Sequence, residues 1–281
     1  MPRIVILTTG AGNYCEQILQ GLANVEVIPD ALCIISPGLK LNIKQFIQPH
    51  RFLGFLLRKG LRSIASRVKN ARYNRDTLDY WEGYAERIYQ VEEPNSQKLI
   101  SILRNLQTDY LILAGSGIVK KEVLGIPKKG TVNVHPGLLP WVRGLGVVER
   151  ALERHVPVGL TAHFVSAGID TGEIIHRELV YVHQHDTLTS LRRRAQYRCA
   201  QVMVEIVLKA YQGKELQSSK QKARYPYCHW PSSEETAKIQ QAVSDGLALK
   251  LYEKWRDFYG SAILPSEQYH HPSVNISPLD H

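Results

Sequence analysis

The sequence predicts an α/β protein built on a doubly wound, mostly parallel sheet. Short apolar runs of strand length alternate with stretches of helical spacing. The first run, residues 4–7, is followed by a glycine turn and then by a helical pattern near Glu16. The chain has 281 residues, 44% of them hydrophobic, which is enough for one α/β domain of about 200 residues plus an accessory segment.

The next elements continue this alternation. Residues 25–28 and 32–35 are candidates for the second strand, and residues 96–106 have the spacing of an amphipathic helix. Residues 110–114 form a short apolar strand, and residues 132–135 form the next one. Strands that are joined through helices in this way favour parallel pairing.

The second half of the chain is predicted to add two strands and a long helix. A helix ends over residues 150–155, residues 159–165 and 178–182 form strands, and residues 187–211 form the long helix. Gly213 predicts the end of that helix, because glycine is favoured just past a helix C-terminus.

A separate segment is predicted after the long helix. Residues 225–231 have an extended pattern, and Ser232 with Glu235 forms a capping box for a helix that reaches towards Tyr259. The composition that follows, rich in Pro and His, predicts disorder. The chain thus divides into a main domain at 1–212 with an insert at about 40–95, a C-terminal extension at 213–261 and a disordered tail at 262–281.

The net charge of +9 comes from one segment. Residues 31–75 hold ten Lys or Arg and no Asp or Glu, which leaves 25 basic against 26 acidic residues elsewhere. Within residues 50–72, apolar residues recur every three or four positions between basic ones, which predicts a basic amphipathic helix. Its apolar positions are Leu53, Leu57, Leu61, Ile64 and Val68.

This basic helix permits three interpretations. It packs on its own domain and leaves a solvated basic face, or it contacts an anionic surface such as membrane lipid or a phosphate-rich substrate. Nucleic acid is the least favoured partner, because no aromatic residues interleave the charges as a stacking platform requires. We therefore expect no nucleic-acid partner and a peripheral membrane contact through residues 50–72 as one option.

Composition also narrows the cellular setting. The N-terminal apolar run is too short for a signal peptide and no stretch reaches about 18 apolar residues, so we expect a cytoplasmic protein. The cysteines Cys15, Cys33, Cys199 and Cys228 are scattered without a Cys-x-x-Cys pair. This pattern is typical of reduced, buried thiols rather than a zinc ribbon or a disulfide framework.

Two segments carry the polar residues that suggest chemistry. Asn133 and His135 lie two residues apart at the end of an apolar run, so they share one face of a strand. Asp170 follows a second apolar strand, on a turn that continues to Gly172. The sequence therefore predicts that an amide, an imidazole and a carboxylate converge.

Together these segments resemble the folate-dependent formyltransferase family. Its pattern is Asn-x-His-Pro-Ser/Gly-Leu-Leu-Pro followed by Asp-x-Gly, and here Asp170 stands 35 residues after His135. The resemblance covers residues 1 to about 212 outside the insert. It implies a Rossmann-like formyltransferase fold and an enzyme of one-carbon metabolism that moves a formyl group from 10-formyltetrahydrofolate, its co-substrate, to a primary amine, without a metal.

The resemblance gives each of the three residues a role. The amide of Asn133 would donate to the formyl oxygen as negative charge develops there. His135 would add a second donor or exchange the proton that leaves the amine. Asp170 would favour the imidazolium and orient the ring or a relay water.

The resemblance also implies where the donor lies. Residues Gly115, Ser116, Gly117, Ile118 and Val119 occupy the place of the family loop whose backbone holds the pterin ring. The small residues in this loop would allow a ligand to approach the backbone closely.

The acceptor is implied to be an anionic small-molecule amine. In the glycinamide ribonucleotide branch, which this sequence resembles most and which belongs to purine biosynthesis, the first glycine turn binds the substrate phosphate at a helix start. That implies substrate binding by Gly10, Gly12 and Asn13, although one Ser or Thr of the branch pattern is missing. Arg143 and Gly144, which follow the first motif, are the other predicted acceptor residues.

Other functions remain open at this level. An amino sugar nucleotide is the second acceptor class, hydrolysis of the formyl donor is a third reaction, and a folate-binding or membrane-surface protein without catalysis is a different class. The pair His183 and His185 has metal-ligand spacing without a completing ligand nearby, so no metal is expected. A hydrolase triad of Ser116, His135 and Asp170 lacks the Gly-x-Ser-x-Gly turn.

Overall fold

The computed structural model describes residues 1–10, 13–36, 81–222 and 225–259. The predicted basic helix at 50–72, Gly12 and the tail at 262–281 lie outside these residues. The strands are β1 (Ile4–Thr8), β2 (Ala31–Ile35), β3 (Ile88–Val91), β4 (Tyr110–Ala114), β5 (Gly130–His135), β6 (Arg143–Gly144), β7 (Gly159–Phe164), β8 (Ile174–Leu179) and β9 (Tyr227–Cys228). The helices are α1 (Asn13–Asn24), α2 (Gln97–Asn105), α3 (Lys121–Leu124), α4 (Val147–Glu153), α5 (Leu188–Tyr211), α6 (Ser233–Ser244) and α7 (Leu247–Tyr259).

The central sheet has the order β3-β2-β1-β4-β5-β7-β8. Strands β1 to β5 pair in parallel, whereas β7 pairs antiparallel with β5 and β8 antiparallel with β7. The short strands β6 and β9 form a separate parallel pair. This arrangement confirms the predicted fold class, a doubly wound and mostly parallel α/β sheet.

Both faces of the sheet are covered by apolar side chains. Ile4 and Ile6 contribute to the core on the side of α1, α4 and α5, whereas Val5 and Leu7 contribute to the core on the side of α2 and α3. Alternate residues of a strand point to opposite faces, so a continuous apolar run is what a strand buried on both faces requires. The four cysteines are buried and unpaired, as predicted.

The parallel strands place the polar segments at one edge of the sheet. β1, β4 and β5 are neighbours that run in the same direction, so their carboxyl ends meet. Gly10 follows β1, Gly115 follows β4, and His135 ends β5. In sheets of this type, ligands bind in the crevice outside these carboxyl ends.

Several boundaries differ from the sequence prediction. Residues 25–28 are not a strand, although Val27 is buried, and β2 begins at Ala31. Strand β8 spans Ile174–Leu179 and not 178–182, because its polar residues hide the apolar pattern on an edge strand. β3 is not predicted from the sequence; it pairs with β2 inside the range assigned to the insert.

The C-terminal extension contains two helices where one is predicted. The helix that starts after Ser232 has the predicted capping box with Glu235, but it ends at Ser244. Gly246 has a φ of +86°, a conformation that glycine adopts readily and that ends a helix. The long helix α5 lies within the predicted range 187–211, and Thr187 forms a capping box with Ser190 at its start. In the described part of the chain, no helix has the length and apolarity that crossing a membrane requires.

Candidate active site

The paired strands β5 and β7 present the first cluster of polar side chains. Asn133 lies opposite His163 in the antiparallel register, and His135 lies opposite Thr161. The amide nitrogen Nδ2 of Asn133 is 3.4 Å from Nε2 of His163. Thus Asn133 and His135 share one face of β5, as predicted, and a second histidine joins them from the neighbouring strand.

Asp170 reaches the same cluster from the turn between β7 and β8. Its Oδ2 is 3.6 Å from Nδ1 of His135, and its Oδ1 is 3.7 Å from Nε2 of His163. The backbone N–H of Gly144 donates to Oδ2 at 2.9 Å. The structure therefore brings together the amide, the imidazole and the carboxylate that the sequence singles out.

The orientation of the His135 ring follows from its partners. Nε2 of His135 lies 3.0 Å from the carbonyl oxygen of Val142. A carbonyl oxygen only accepts hydrogen bonds, so Nε2 carries the proton and donates. Nδ1 is consequently the ring atom that faces Asp170. The residue is 5% exposed, so the ring is fixed inside the protein.

His163 is held in its neutral form. Burial is the largest influence on its pKa and lowers it from the ordinary 6.5 to about 4; the nearby His135 also lowers it, while the Phe164 carbonyl and Asp170 raise it. Nδ1 donates to the carbonyl of Phe164 at 2.8 Å. Nε2 therefore carries a lone pair and accepts from the Asn133 amide, which sets the direction of that amide.

Sequence reasoning did not assign His163 a role in the site. The available signal was its place in an apolar strand, two residues after Thr161. Its position opposite Asn133 depends on the β5–β7 register, which the sequence did not supply.

The turn that carries Asp170 requires the glycine that follows it. A Cβ atom at Gly172 would stand 1.6 Å from the carbonyl oxygen of Phe164, so no larger residue fits there. Asp170 itself has a φ of +52°, in the left-handed region that non-glycine residues rarely adopt. The Asp-x-Gly pattern is thus explained by a close approach of the turn to β7.

Arg143 and Gly144 lie beside Asp170, and their polar groups are engaged inside the protein, while their role towards an acceptor stays a prediction. Nε and one terminal nitrogen of Arg143 donate to the carbonyl of Ile169, at 3.0 and 2.7 Å, and the other terminal nitrogen donates to the carbonyl of Tyr225 at 2.8 Å. The side chain is 8% exposed. These contacts use Arg143 to hold loops together, and Gly144 N–H is engaged by Asp170.

The predicted donor loop, residues 115–119, has an open backbone. Gly115 and Gly117 each have a φ of +75°, and among the described residues no atom lies within 4 Å of a Cβ built at either position. Ile118 is 71% exposed, whereas Ser116 and Val119 are buried. This combination of an accessible backbone and an exposed apolar side chain fits a flat ring system such as a pterin.

Asn95 braces this loop, a contact that no sequence signal indicated. Its amide nitrogen donates to the carbonyl of Ile118 at 2.9 Å, and its oxygen accepts from the N–H of Lys120 at 2.6 Å. The N–H of Thr9 donates to the carbonyl of Gly115 at 3.1 Å. The donor loop is thereby tied to the first turn.

The first turn is only partly described. Gly10 has a φ of +66°, and its N–H donates to the Thr8 hydroxyl at 3.0 Å, so this amide is used inside the protein. Asn13 begins α1 and is exposed. Gly12 lies outside the described residues. The structure places Gly10 and Asn13 at the same sheet edge as His135.

The other chemical candidates have structural partners. The Asp186 carboxylate accepts from the Arg194 guanidinium, from Ser190 and from the N–H of His183, so it anchors the start of α5. The hydroxyl of Ser116 donates to the carbonyl of Gly117 at 3.4 Å and not to a histidine. Within the described ranges, no group of three or more His, Cys, Asp or Glu is arranged to hold a metal.

Comparison with known proteins identifies relatives along most of the main domain. The family model described as formyl transferase matches residues 2–207. A methionyl-tRNA formyltransferase of Fusobacterium nucleatum is 30% identical over 155 residues, which cover 54% of this chain and 50% of that protein. The chain thus spans about half the length of the curated relatives that it matches.

Solved structures share the fold at lower identity. Glycinamide ribonucleotide transformylase 1 from Symbiobacterium toebii superposes with a TM-score of 0.51 at 24% identity, over 78% of this chain and 94% of that one. A sugar N-formyltransferase from a Shewanella species gives a TM-score of 0.52 at 16% identity, over 86% of this chain and 88% of that one. At these identities the likeness concerns the fold.

Proposed function

The chain belongs to the formyl transferase family, and from this premise we propose that it transfers a formyl group from 10-formyltetrahydrofolate to a primary amine. The observation that carries the proposal is the meeting of Asn133, His135 and Asp170 at the carboxyl edge of the sheet, with 3.6 Å between the imidazole and the carboxylate. Formyl transfer needs both an oxyanion donor and a proton acceptor, and this cluster offers both kinds of group.

In the proposed reaction the amine nitrogen attacks the formyl carbon, and negative charge builds on the formyl oxygen. The Asn133 amide is fixed by its contact with neutral His163 and keeps a second N–H with which to donate to that oxygen. The attacking amine nitrogen loses a proton, and the folate nitrogen gains one as it departs. His135 and Asp170 are the pair that would transfer this proton. Nε2–H of His135 donates to the carbonyl of Val142, which leaves Nδ1 facing the Asp170 carboxylate.

The donor is proposed to bind over the backbone of residues 115–119. The two glycines leave the backbone accessible, and Asn95 holds the loop in place. This loop follows β4, and β4 neighbours β5, which carries Asn133 and His135. A pterin bound there would bring its formyl group to the cluster.

For the acceptor we propose a small anionic amine of the glycinamide ribonucleotide type, with amino sugar nucleotides as the next class. The Arg143 guanidinium and the Gly10 N–H already donate to groups of the protein, so we propose that other groups bind the phosphate. Residues of the C-terminal extension instead stand beside the cluster: Tyr227 and Cys228 pair with the strand that contains Gly144. The acceptor side of the site would therefore be shaped in part by the extension.

A third candidate acceptor is an aminoacyl group carried on tRNA. The curated relatives are methionyl-tRNA formyltransferases, and this observation favours an acceptor that the charge pattern did not. In that case the expectation of no nucleic-acid partner would fail.

The experiment is to follow release of the folate product by absorbance, with wild type and Asn133→Ala, against glycinamide ribonucleotide, amino sugar nucleotides and methionyl-tRNA. We expect turnover with one acceptor and a loss of about 10² to 10³ in kcat for the variant, the usual cost of one oxyanion donor. Asn105→Ala is the matched control, since Asn105 is exposed at the end of α2. Full activity in Asn133→Ala would contradict the proposed role.

A further inference from the structure

We infer that Gln221, a residue of the C-terminal extension, is a positioning residue that holds the Asp170 carboxylate in place for catalysis. The inference rests on the proposed function and deepens it, because it extends the working site beyond the residues that match the family model, which end at 207. The three supporting observations are the hydrogen bonds of Gln221, the conformation of the Asp170 turn and the path of the extension beside it.

The Gln221 side chain bonds to both ends of the turn. Its nitrogen Nε2 donates to the carbonyl of Asp170 at 3.0 Å and to the carbonyl of Gly172 at 2.8 Å. Both partners are carbonyl oxygens, which only accept, so the amide nitrogen and not the amide oxygen must face the turn. The two hydrogens of one nitrogen are thereby used to fix two carbonyls that lie two residues apart.

The turn needs such a restraint because of its conformation. Asp170 has a φ of +52°, which is unfavourable for a residue with a Cβ atom and persists only where the surroundings enforce it. Arg143 holds the carbonyl of the preceding residue, Ile169, and Gln221 holds the carbonyls of Asp170 and Gly172. The turn is therefore clamped from the main domain on one side and from the extension on the other.

The backbone of the extension delivers Gln221 to this position. Ser219 forms an antiparallel bridge with Ile174, with N–H to carbonyl distances of 2.8 and 2.9 Å in the two directions. This bridge lies just after the turn, at the start of β8, so a side chain two residues further on reaches the turn itself. Ser218 also donates to the Glu173 carboxylate at 2.6 Å.

The geometry of the cluster explains why the position of the turn matters. Oδ2 of Asp170 stands 3.6 Å from Nδ1 of His135, at the outer limit of a direct interaction. A displacement of about 1 Å would break this contact, and misplacement of that size costs about 10²-fold in rate. Gln221 touches neither histidine, so its effect on the reaction would pass through Asp170.

The test compares Gln221→Leu and Gln221→Glu with wild type in the formyl-transfer assay. For Gln221→Leu we expect kcat to fall by about 10²-fold while KM for donor and acceptor changes little. Ser218→Ala is the matched control, because it removes a contact of the same segment with the same loop, at Glu173 and not at Asp170. We expect its kcat to stay within about twofold of wild type, since the group it loses is exposed.

Gln221→Glu adds a signature that a purely structural role would not give. An ionised carboxylate at position 221 repels the two carbonyls, whereas a protonated one donates to one of them. The activity of this variant relative to wild type should rise as the pH is lowered towards about 5, whereas the ratio for Gln221→Leu should stay level. A level ratio for both variants would overturn the inference.

A readout that needs no turnover separates this inference from the proposed reaction. The N–H of Gly144 donates to the Asp170 carboxylate, so its hydrogen exchange should accelerate in Gln221→Leu and not in Ser218→Ala. If exchange at Gly144 is faster in Gln221→Leu but the wild type transfers no formyl group, the proposed reaction is wrong and the contact of Gln221 with the Asp170 turn still stands. Unchanged exchange, or faster exchange with unchanged kcat in an active enzyme, would overturn the role of Gln221.

Discussion

Two acidic side chains of the β7–β8 region are treated very differently by their surroundings. Glu178 is 3% exposed and accepts from Nε and a terminal nitrogen of Arg198, at 2.5 and 3.1 Å, and from His176 at 2.9 Å. Asp170 is 13% exposed, accepts one backbone N–H at 2.9 Å, and faces two histidines at 3.6 and 3.7 Å.

The difference separates a carboxylate that is held in a buried ion pair from the one to which we assign a role in the proposed reaction. Burial alone would raise the pKa of Glu178, but the hydrogen bonds from His176 and Arg198 outweigh it and lower that pKa below the ordinary value. Glu178 is thus held ionised by short bonds to both oxygens. The Asp170 carboxylate accepts one backbone N–H and has no guanidinium partner of the kind that holds Glu178.

Of the substitutions at these two carboxylates, Asp170→Asn should have the larger effect on activity. The amide keeps the volume of the side chain and an oxygen for the Gly144 N–H, but it removes the charge opposite His135. We expect kcat/KM to fall by about 10² to 10⁴-fold, the range for losing proton-transfer assistance, while the thermal unfolding midpoint changes little. Rates of folate-product release and a calorimetric scan measure the two quantities.

Asp245→Asn is the control for this variant, because Asp245 caps the end of α6 far along the chain from the site. It should keep wild-type kcat/KM. Retention of activity in Asp170→Asn itself would mean that the long contacts of Asp170 have no catalytic meaning and that the contrast with Glu178 reflects packing alone.

Glu178→Gln should have the opposite effect to Asp170→Asn: a loss of stability without a loss of activity. The variant leaves the Arg198 guanidinium, which is 15% exposed, without its main counter-charge. Breaking a buried ion pair from one side costs about 3 to 5 kcal/mol of unfolding free energy, so the denaturation midpoint in urea should fall clearly. Activity per folded molecule should be unchanged.

The matched comparison is Glu205→Gln, which removes the other carboxylate bound to Arg198. Glu205 is 29% exposed and contacts one terminal nitrogen at 2.9 Å. A partly exposed pair of this kind contributes about 0 to 1 kcal/mol, so this variant should unfold almost as wild type does. Equal destabilisation by both variants would show that Glu178 is not the dominant partner.

The same contrast explains what the sequence predicted well. Strand β4 was predicted to the residue, and β5 nearly so, because continuous apolar runs in a parallel sheet leave a clear pattern. Asn133 and His135 were singled out because they interrupt the end of such a run, and Asp170 because it lies on a turn that continues to Gly172. Local rules also sufficed for the capping box of Ser232 with Glu235.

The sequence predicted poorly where contacts come from distant segments. The role of Arg143 depends on the carbonyls of Ile169 and Tyr225, which lie 26 and 82 residues away. The contact of Gln221 with Asp170 spans 51 residues, and its acceptors are backbone atoms that carry no residue signature. Contacts of this kind leave no pattern in the residues around Arg143, so the sequence could not predict them.

His163 allows the comparison to be sharpened with pH, because it is the buried group beside Asp170 that stays neutral. Its pKa is lowered to about 4 in the folded protein, mainly by burial, against an ordinary value of 6.5. Above pH 6.5 the ring is neutral in both states, so it gives the stability no pH dependence there. As the pH falls from 6.5 towards 4, the unfolded chain takes up the proton first, and folding loses up to about 3 kcal/mol.

We expect the unfolding free energy of wild type to decrease over that range more steeply than that of His163→Gln, which cannot take up this proton. NMR titration supplies the direct check: the His163 ring resonances should stay constant as the pH is lowered to about 4. Titration of His163 near 6.5 would mean that its Nε2 is not held as an acceptor, and the orientation of Asn133 would lose its physical cause.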